Sequence, residues 1–331
     1  DQSIFRYDAA KRKRMSNFPP YGLMVVAEQL RKSDIDCEIV NLQHEILKAC
    51  MSSESESDFF YDSVWKNKLD ERIKEFEPDL IGVTCMFTMT HAALRGVCVY
   101  VSECFNTPIA IGGVHLSNDR DRILDDIPEA HFGFLNESEI AFQNFVEIVN
   151  HKKPISELSQ VVFNEKDNRS FFLKEAQPTE QDIDIIPAFD LIPLAEYSSV
   201  GRVGPNYCFK DENAKFSTIL SNRGCRAQCT FCSVRNFNGM GVRQRSIASV
   251  VDELEMFQDE LGIDHFMWLD DDLLKDHKRA VGLFNEMVRR NLKMTWDASN
   301  GVIASSCTDE VIGAAAESGC IGLHIGMESR N

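Results

Sequence analysis

Residues 215–234 read KFSTILSNRGCRAQCTFCSV: an apolar run over 216–220 leads directly into a loop carrying Cys225, Cys229 and Cys232. The run has the length and composition of a strand, and the loop spaces its thiols C-x-x-x-C-x-x-C. A four-iron, four-sulfur cluster normally takes four thiolates, so a loop offering three leaves one iron open to a ligand that is not protein. Gly224 lets the chain turn back tightly before the first thiol. Structural zinc is one rival reading, but zinc wants four ligands, usually from two C-x-x-C pairs or with histidines, and no second pair follows. An accidental cluster of buried thiols is the other. The remaining eight of the eleven cysteines are scattered without ligand spacing and read as small core residues.

Downstream of the loop, strand and helix alternate. Ser246 can cap a helix whose apolar set is Ile247, Val250, Val251, Leu254 and Phe257, and Gly262 can end it. A strand over 265–269 runs into Asp270, Asp271 and Asp272. A helix over 279–290 leads to a strand over 293–298. A further helix, ended by Gly319, leads to a strand over 321–327 followed by Glu328 and Ser329. Beta-alpha units in series close into a barrel with its chemistry at the strand ends, and four units predict only part of one.

Upstream, residues 19–150 also alternate. Helices are predicted over 21–32, 63–76, 90–105 and 137–149, and strands over 37–42, 79–85, 108–111 and 130–134, with a polar connector at 51–58. The strand at 79–85 reads as buried and parallel. This alternation predicts an α/β, doubly wound, Rossmann-like sheet covered by helices on both faces. Ligands sit at the carboxyl ends of such strands. Those ends carry Thr84, then Gly112, Gly113 and His115, then Gly133 with the acidic segment 136–139. From spacing alone these read equally as ordinary turns. The expected division is residues 1–150, a linker at 151–214 and the partial barrel at 215–331. The linker holds a hairpin, with strands over 160–163 and 170–174 joined by a turn at 165–168, and then an acidic extended stretch at 177–189.

Composition bounds the function classes. A formal net charge of -17 argues against a nucleic-acid surface, which needs clustered Lys and Arg. No run approaches the roughly 18 apolar residues of a membrane helix. Eleven cysteines without a small disulfide framework point to a reducing cytoplasm. The chain begins at Asp1 and stops after a predicted strand, so both ends are expected to be cut.

The three-thiol loop, with Phe231 just before its last cysteine, resembles that of the radical S-adenosylmethionine enzymes. The segments PPYGL, EPDLIGV, IAIGGVHLS and GFLNESEIAF, in that order over 19–150, are similar to the cobalamin-binding domain preceding the barrel in one large class of them. The segment IPAFDLIPLAEY over 186–197 resembles the approach to the cluster domain in the same class. The resemblance implies a [4Fe-4S] cluster held by Cys225, Cys229 and Cys232, S-adenosyl-L-methionine on the open iron, and cobalamin. One electron would split the sulfonium to a 5′-deoxyadenosyl radical. It further implies that Phe231 faces the adenine, that Asp270 and Asp271 receive the methionine amino group, and that Glu328 and Ser329 take the ribose or the methionine carboxylate. Thr84, Gly112, Gly113, His115 and Gly133 would border the corrin. Arg243 and Arg245 fit the family pattern, either anchoring a carboxylate or pairing with nearby acids.

Three features depart from the class. Its first strand, before the double proline, is absent or lies upstream of Asp1, its Gly-Glu-Gly-Glu turn is replaced by 134–139, FLNESE, and no D-x-H-x-x-G supplies a histidine below cobalt. The expected activity is methyl transfer to an unactivated carbon of a small-molecule or peptide substrate, with an electron donor such as flavodoxin or ferredoxin. Alternatives are a radical cyclase, rearrangement or oxidative enzyme with or without cobalamin, or a cluster-carrying electron-transfer protein. An electron carrier gains nothing from an open iron.

Overall fold

The computed structural model describes residues 4–165, 168–211 and 213–327. The first sheet has five strands: β1 (Ile81–Thr84), β2 (Ile109–Gly112), β3 (Phe132–Phe134), β4 (Val161–Glu165) and β5 (Asn168–Phe172), in that spatial order. The first three pair in parallel and the last two antiparallel. The side-chain alternation of a strand explains why both faces are covered. Ile109 and Ile111 enter one core with Leu94, Cys98 and Leu124, while Ala110 enters the other with Phe134 and Phe145. The helices Tyr61–Phe76 and His91–Cys104 cover the first face, and Glu139–Val149 covers the second.

Three expectations change. The strand at 37–42 is not in a sheet; Asn41 instead caps a helix, Leu42–Ser52, by accepting a hydrogen bond from the His44 amide. A short β-like run gave way to the stronger local signal of an Asn cap followed by helix formers. That helix also claims the first residues of the supposed polar connector. β1 is an edge strand, so its side chains alternate between half-buried and exposed instead of being buried throughout. The hairpin in the linker segment adds to the first sheet through β4, which runs against β3.

Gln160 ties the hairpin to the acidic turn. It takes positive φ (49°) immediately before β4. Its amide nitrogen donates to the carbonyls of Leu135 and Glu137 at 3.0 and 3.4 Å, and its Oε1 accepts from the Ala176 amide at 2.9 Å.

The second sheet is parallel throughout, its members in spatial order being β11 (Cys320–Ile325), β10 (Thr295–Val302), β9 (His265–Trp268) and β6 (Phe216–Ile219). Two short strands, β7 (Asn222–Arg223) and β8 (Arg243–Gln244), pair antiparallel beside them. The helices Ile247–Asp259, His277–Arg289 and Asp309–Glu317 connect the sheet strands, as in a section of a β/α barrel. Ser246 caps the first as expected, accepting from the Ser249 amide at 3.2 Å. The core of this sheet also takes in Tyr21, Met24 and Val25 from the helix Tyr21–Arg31 and Phe189 and Leu194 from the linker.

Candidate functional site

The three-cysteine loop is a closed excursion of the chain. It leaves β6 after Ile219, crosses the β7–β8 ladder, carries the thiols, and returns through the same ladder, with Asn222 opposite Gln244 and Arg223 opposite Arg243. Gly224 has φ of 90°, and a side chain there would run into the Gly241 carbonyl, so the loop's two ends approach as only glycine allows. Cys225 is half-buried, and burial raises its thiol pKa; Cys229 and Cys232 are exposed. The Ala227 amide donates to the Cys225 sulfur at 3.4 Å. Among the described residues no group of three His, Cys, Asp or Glu side chains is drawn together as a metal set. The donor chemistry nevertheless fits an iron–sulfur cluster: three unpaired thiols lie on one loop, two of them open to solvent. Phe231 is 73% exposed beside the last of them.

The acids after β9 divide by role. Asp270 is buried with both oxygens engaged by Ser221, whose amide and hydroxyl donate at 2.9 and 2.6 Å; burial pushes its carboxyl up to about 6. It locks β9 to the exit of β6. Asp271 borders the loop, accepting from the Asn238 amide nitrogen at 3.1 Å. Burial first, and then the neighbouring Glu137 charge, push it up to about 6 as well. Asp272, to which the sequence reading gave no role, pairs with Arg226 of the loop at 3.2 Å. Glu328 and Ser329 lie outside the described residues.

At the first sheet, Thr84, Gly112, Gly113 and His115 gather at the ends of β1 and β2. The Cys85 amide donates to the Gly112 carbonyl at 3.0 Å, and the His115 amide to the Cys85 carbonyl at 3.2 Å. Gly113 has φ of 100°, and a side chain there would strike that same Cys85 carbonyl. At Gly133, a methyl would press on Leu116 and Leu124 at 3.3 and 3.4 Å.

His115 is buried and faces His91, its Nε2 3.0 Å from His91 Nδ1, while His91 Nε2 lies 2.7 Å from the Asp126 carboxylate. The carboxylate can only accept, so His91 donates from Nε2; with a neutral His91 ring, Nδ1 accepts and His115 carries its proton on Nε2. Its Nδ1 is left buried without a partner among the described residues. Burial, with His91 next, depresses the His115 pKa and keeps it neutral. The loop after β1 exposes Met86, Phe87 and Met89, an apolar surface at the end of the sheet where ligands bind.

The two groups face one another. The helix Val234–Asn238, which follows Cys232, packs on the helix Val114–Asn118, which carries His115. Beside that contact, Glu137 and Glu139 pair with Arg223 and Arg243 at the base of the cysteine loop. Arg245, in contrast, pairs with buried Glu253 at 2.7 Å. Both arginines thus pair with acids, and neither waits for a ligand carboxylate.

Residues 8–146 match the B12-binding family, described as the B12 binding domain. The chain is 24% identical over 323 residues to an uncharacterised methyltransferase of Pyrococcus horikoshii, covering 97% of this chain and 63% of that protein. It is also 24% identical over 278 residues to an anaerobic magnesium-protoporphyrin IX monomethyl ester cyclase of Cereibacter sphaeroides, covering 82% of this chain and 43% of that one. The radical S-adenosylmethionine methyltransferase TsrM of Kitasatospora setae, solved with tryptophan and an S-adenosylmethionine analogue, superposes with a TM-score of 0.74 at 19% identity. That superposition covers 94% of this chain and 57% of TsrM. The chain therefore spans less than two thirds of the relatives it matches. No helix among the described residues is long and apolar enough to cross a membrane. With a B12-binding match over residues 8–146 in front of a three-cysteine segment of a β/α sheet, the chain is similar in fold to radical S-adenosylmethionine proteins solved with cobalamin.

Proposed function

We propose that this chain is the cofactor-binding portion of a cobalamin-dependent radical S-adenosylmethionine methyltransferase acting on an unactivated carbon of a small molecule or peptide in the cytoplasm, with a flavodoxin- or ferredoxin-like electron donor. The observation that carries the reading is the apposition of the two sites. The loop bearing Cys225, Cys229 and Cys232 packs, through its own helix, on the helix that follows β2 of the B12-binding domain. A structure of TsrM holds both cobalamin and a [4Fe-4S] cluster, which supports the pairing. When bound, the cluster would supply the electron that cleaves S-adenosylmethionine, and cobalamin the methyl group.

The residues have separate tasks. Cys225, Cys229 and Cys232 would ligate three irons. Asp271 borders the loop and offers a carboxylate to the methionine amino group, which Asp270, held by Ser221, cannot do as directly. Phe231 offers an aromatic face. Thr84, Gly112, Gly113 and the exposed Met86, Phe87 and Met89 would border the corrin.

Anaerobic reconstitution of the full-length protein with iron, sulfide and hydroxocobalamin tests this. About four irons and one cobalt should stay with each chain after desalting. The Cys225→Ala, Cys229→Ala, Cys232→Ala variant should lose the iron. Iron without cobalt would overturn methyl transfer. A second reading, radical cyclisation without methylation, is favoured by the likeness to the protoporphyrin ester cyclase. A product heavier by one methylene would decide for methyl transfer.

A further inference from the structure

The base of the cysteine loop is closed by a ladder that sets two cations against each other. Arg223 and Arg243 are direct cross-strand partners. Like charges in that position destabilise a pair of strands. The compensation comes from the first domain: Glu137 Oε2 lies 2.9 Å from Nη1 of both Arg223 and Arg243, and Glu139 pairs with Arg223. All four side chains are mostly buried, so solvent screens their charges little. The glutamates are fixed independently of the arginines. Asn136, at positive φ, donates its amide to the Ser117 hydroxyl at 2.8 Å, Gln160 donates to the Glu137 carbonyl, and Glu139 opens a helix of 11 residues.

We propose that the Glu137–Glu139 turn is the closing element of the cysteine loop: the loop's base is shut only while the B12-binding domain presents these two carboxylates. The turn is thus a positioning device. Docking of the domain and closure of the loop are one event, and the two sites are coupled through four buried charges. The functional consequence rests on the reading above, since it is the iron held by the loop that the turn would retain.

The test uses full-length protein with reconstituted cofactors and the variant Glu137→Gln, Glu139→Gln. Amide exchange of residues 222–223 and 243–244 should accelerate tenfold or more, while the amides of β1–β3 keep their protection. Iron release to an external chelator should accelerate by a similar factor. The decisive variant adds Arg243→Gln to that background. Removing one cation relieves the repulsion, so ladder protection and iron retention should recover toward the parent values. Unchanged protection in the double variant, acceleration spread evenly over the whole chain, or no recovery with Arg243→Gln would overturn the proposal. If the parent protein retains no iron, the functional reading falls, while the exchange pattern in the metal-free chain still decides the role of the turn.

Discussion

At the residue scale, Asp270 shows what burial does to an acid that the sequence nominates for ligand binding. Its folded pKa of about 6 lies above the ordinary aspartate value of about 3.9. The folded state therefore keeps the proton to higher pH than the unfolded chain does. The group favours folding most below about pH 4, and that contribution is lost as pH rises through 6, a span on the order of 3 kcal/mol. Asp270→Asn can still accept from the Ser221 amide, so the variant should lose up to one proton's worth of pH dependence between pH 4 and 6. Urea denaturation at pH 4.5 and 7 checks this; an unchanged difference between the two would refute it. The three thiols and the acids after β9 stood out in the sequence because ligand chemistry at a loop or strand end favours particular residue types. Which acid faces the loop was not, since Asp270 and Asp271 are neighbours and only strand direction separates them. His115 was legible as a strand-end residue, but its relay to His91 and Asp126 joins positions brought together only by folding.

At the element scale, the helix Ile247–Asp259 was readable in full: a serine cap, an apolar set and a glycine just beyond its end. Its one unexpected member is Glu253, fully buried and held by Arg245. Arg245 also donates to the Leu220 carbonyl at 2.9 Å and the Ser249 hydroxyl at 3.0 Å, so it joins this helix to the exit of β6. Truncating it to alanine leaves the carboxylate buried and unpaired, and should cost about 3–5 kcal/mol in chemical denaturation. Arg245→Met with Glu253→Leu, which removes both charges and keeps volume, should cost less than the single truncation. The opposite order would mean the pair stabilises beyond its desolvation. The strand expected at 37–42 failed for a comparable reason. Its β-like composition was real, but an Asn followed by helix formers decides locally, and among the described residues no strand pairs with it.

At the scale of the whole molecule, the two α/β units were visible as two runs of alternation, but their sharing of a core was not. Tyr21, Met24 and Val25 belong in sequence to the first unit and in space to the core beneath the second sheet. The units should therefore melt together. In a Trp65→Phe variant, fluorescence reports on Trp268 and Trp296, both in the second core, whereas far-ultraviolet circular dichroism reports on the entire chain. Coincident midpoints are expected; a dichroism transition preceding the fluorescence one would show that the first unit unfolds alone.

Gln160 gives the shared architecture a mechanical side. The linker leaves the first sheet beside the Leu135–Glu137 backbone, and the Gln160 side chain clips it there through Ala176. Tension applied along the chain between the two units would meet this amide clip before reaching the buried charges at the loop's base. The joint should then behave as a stiff bracket, with force diverted into the hairpin and away from the cysteine loop.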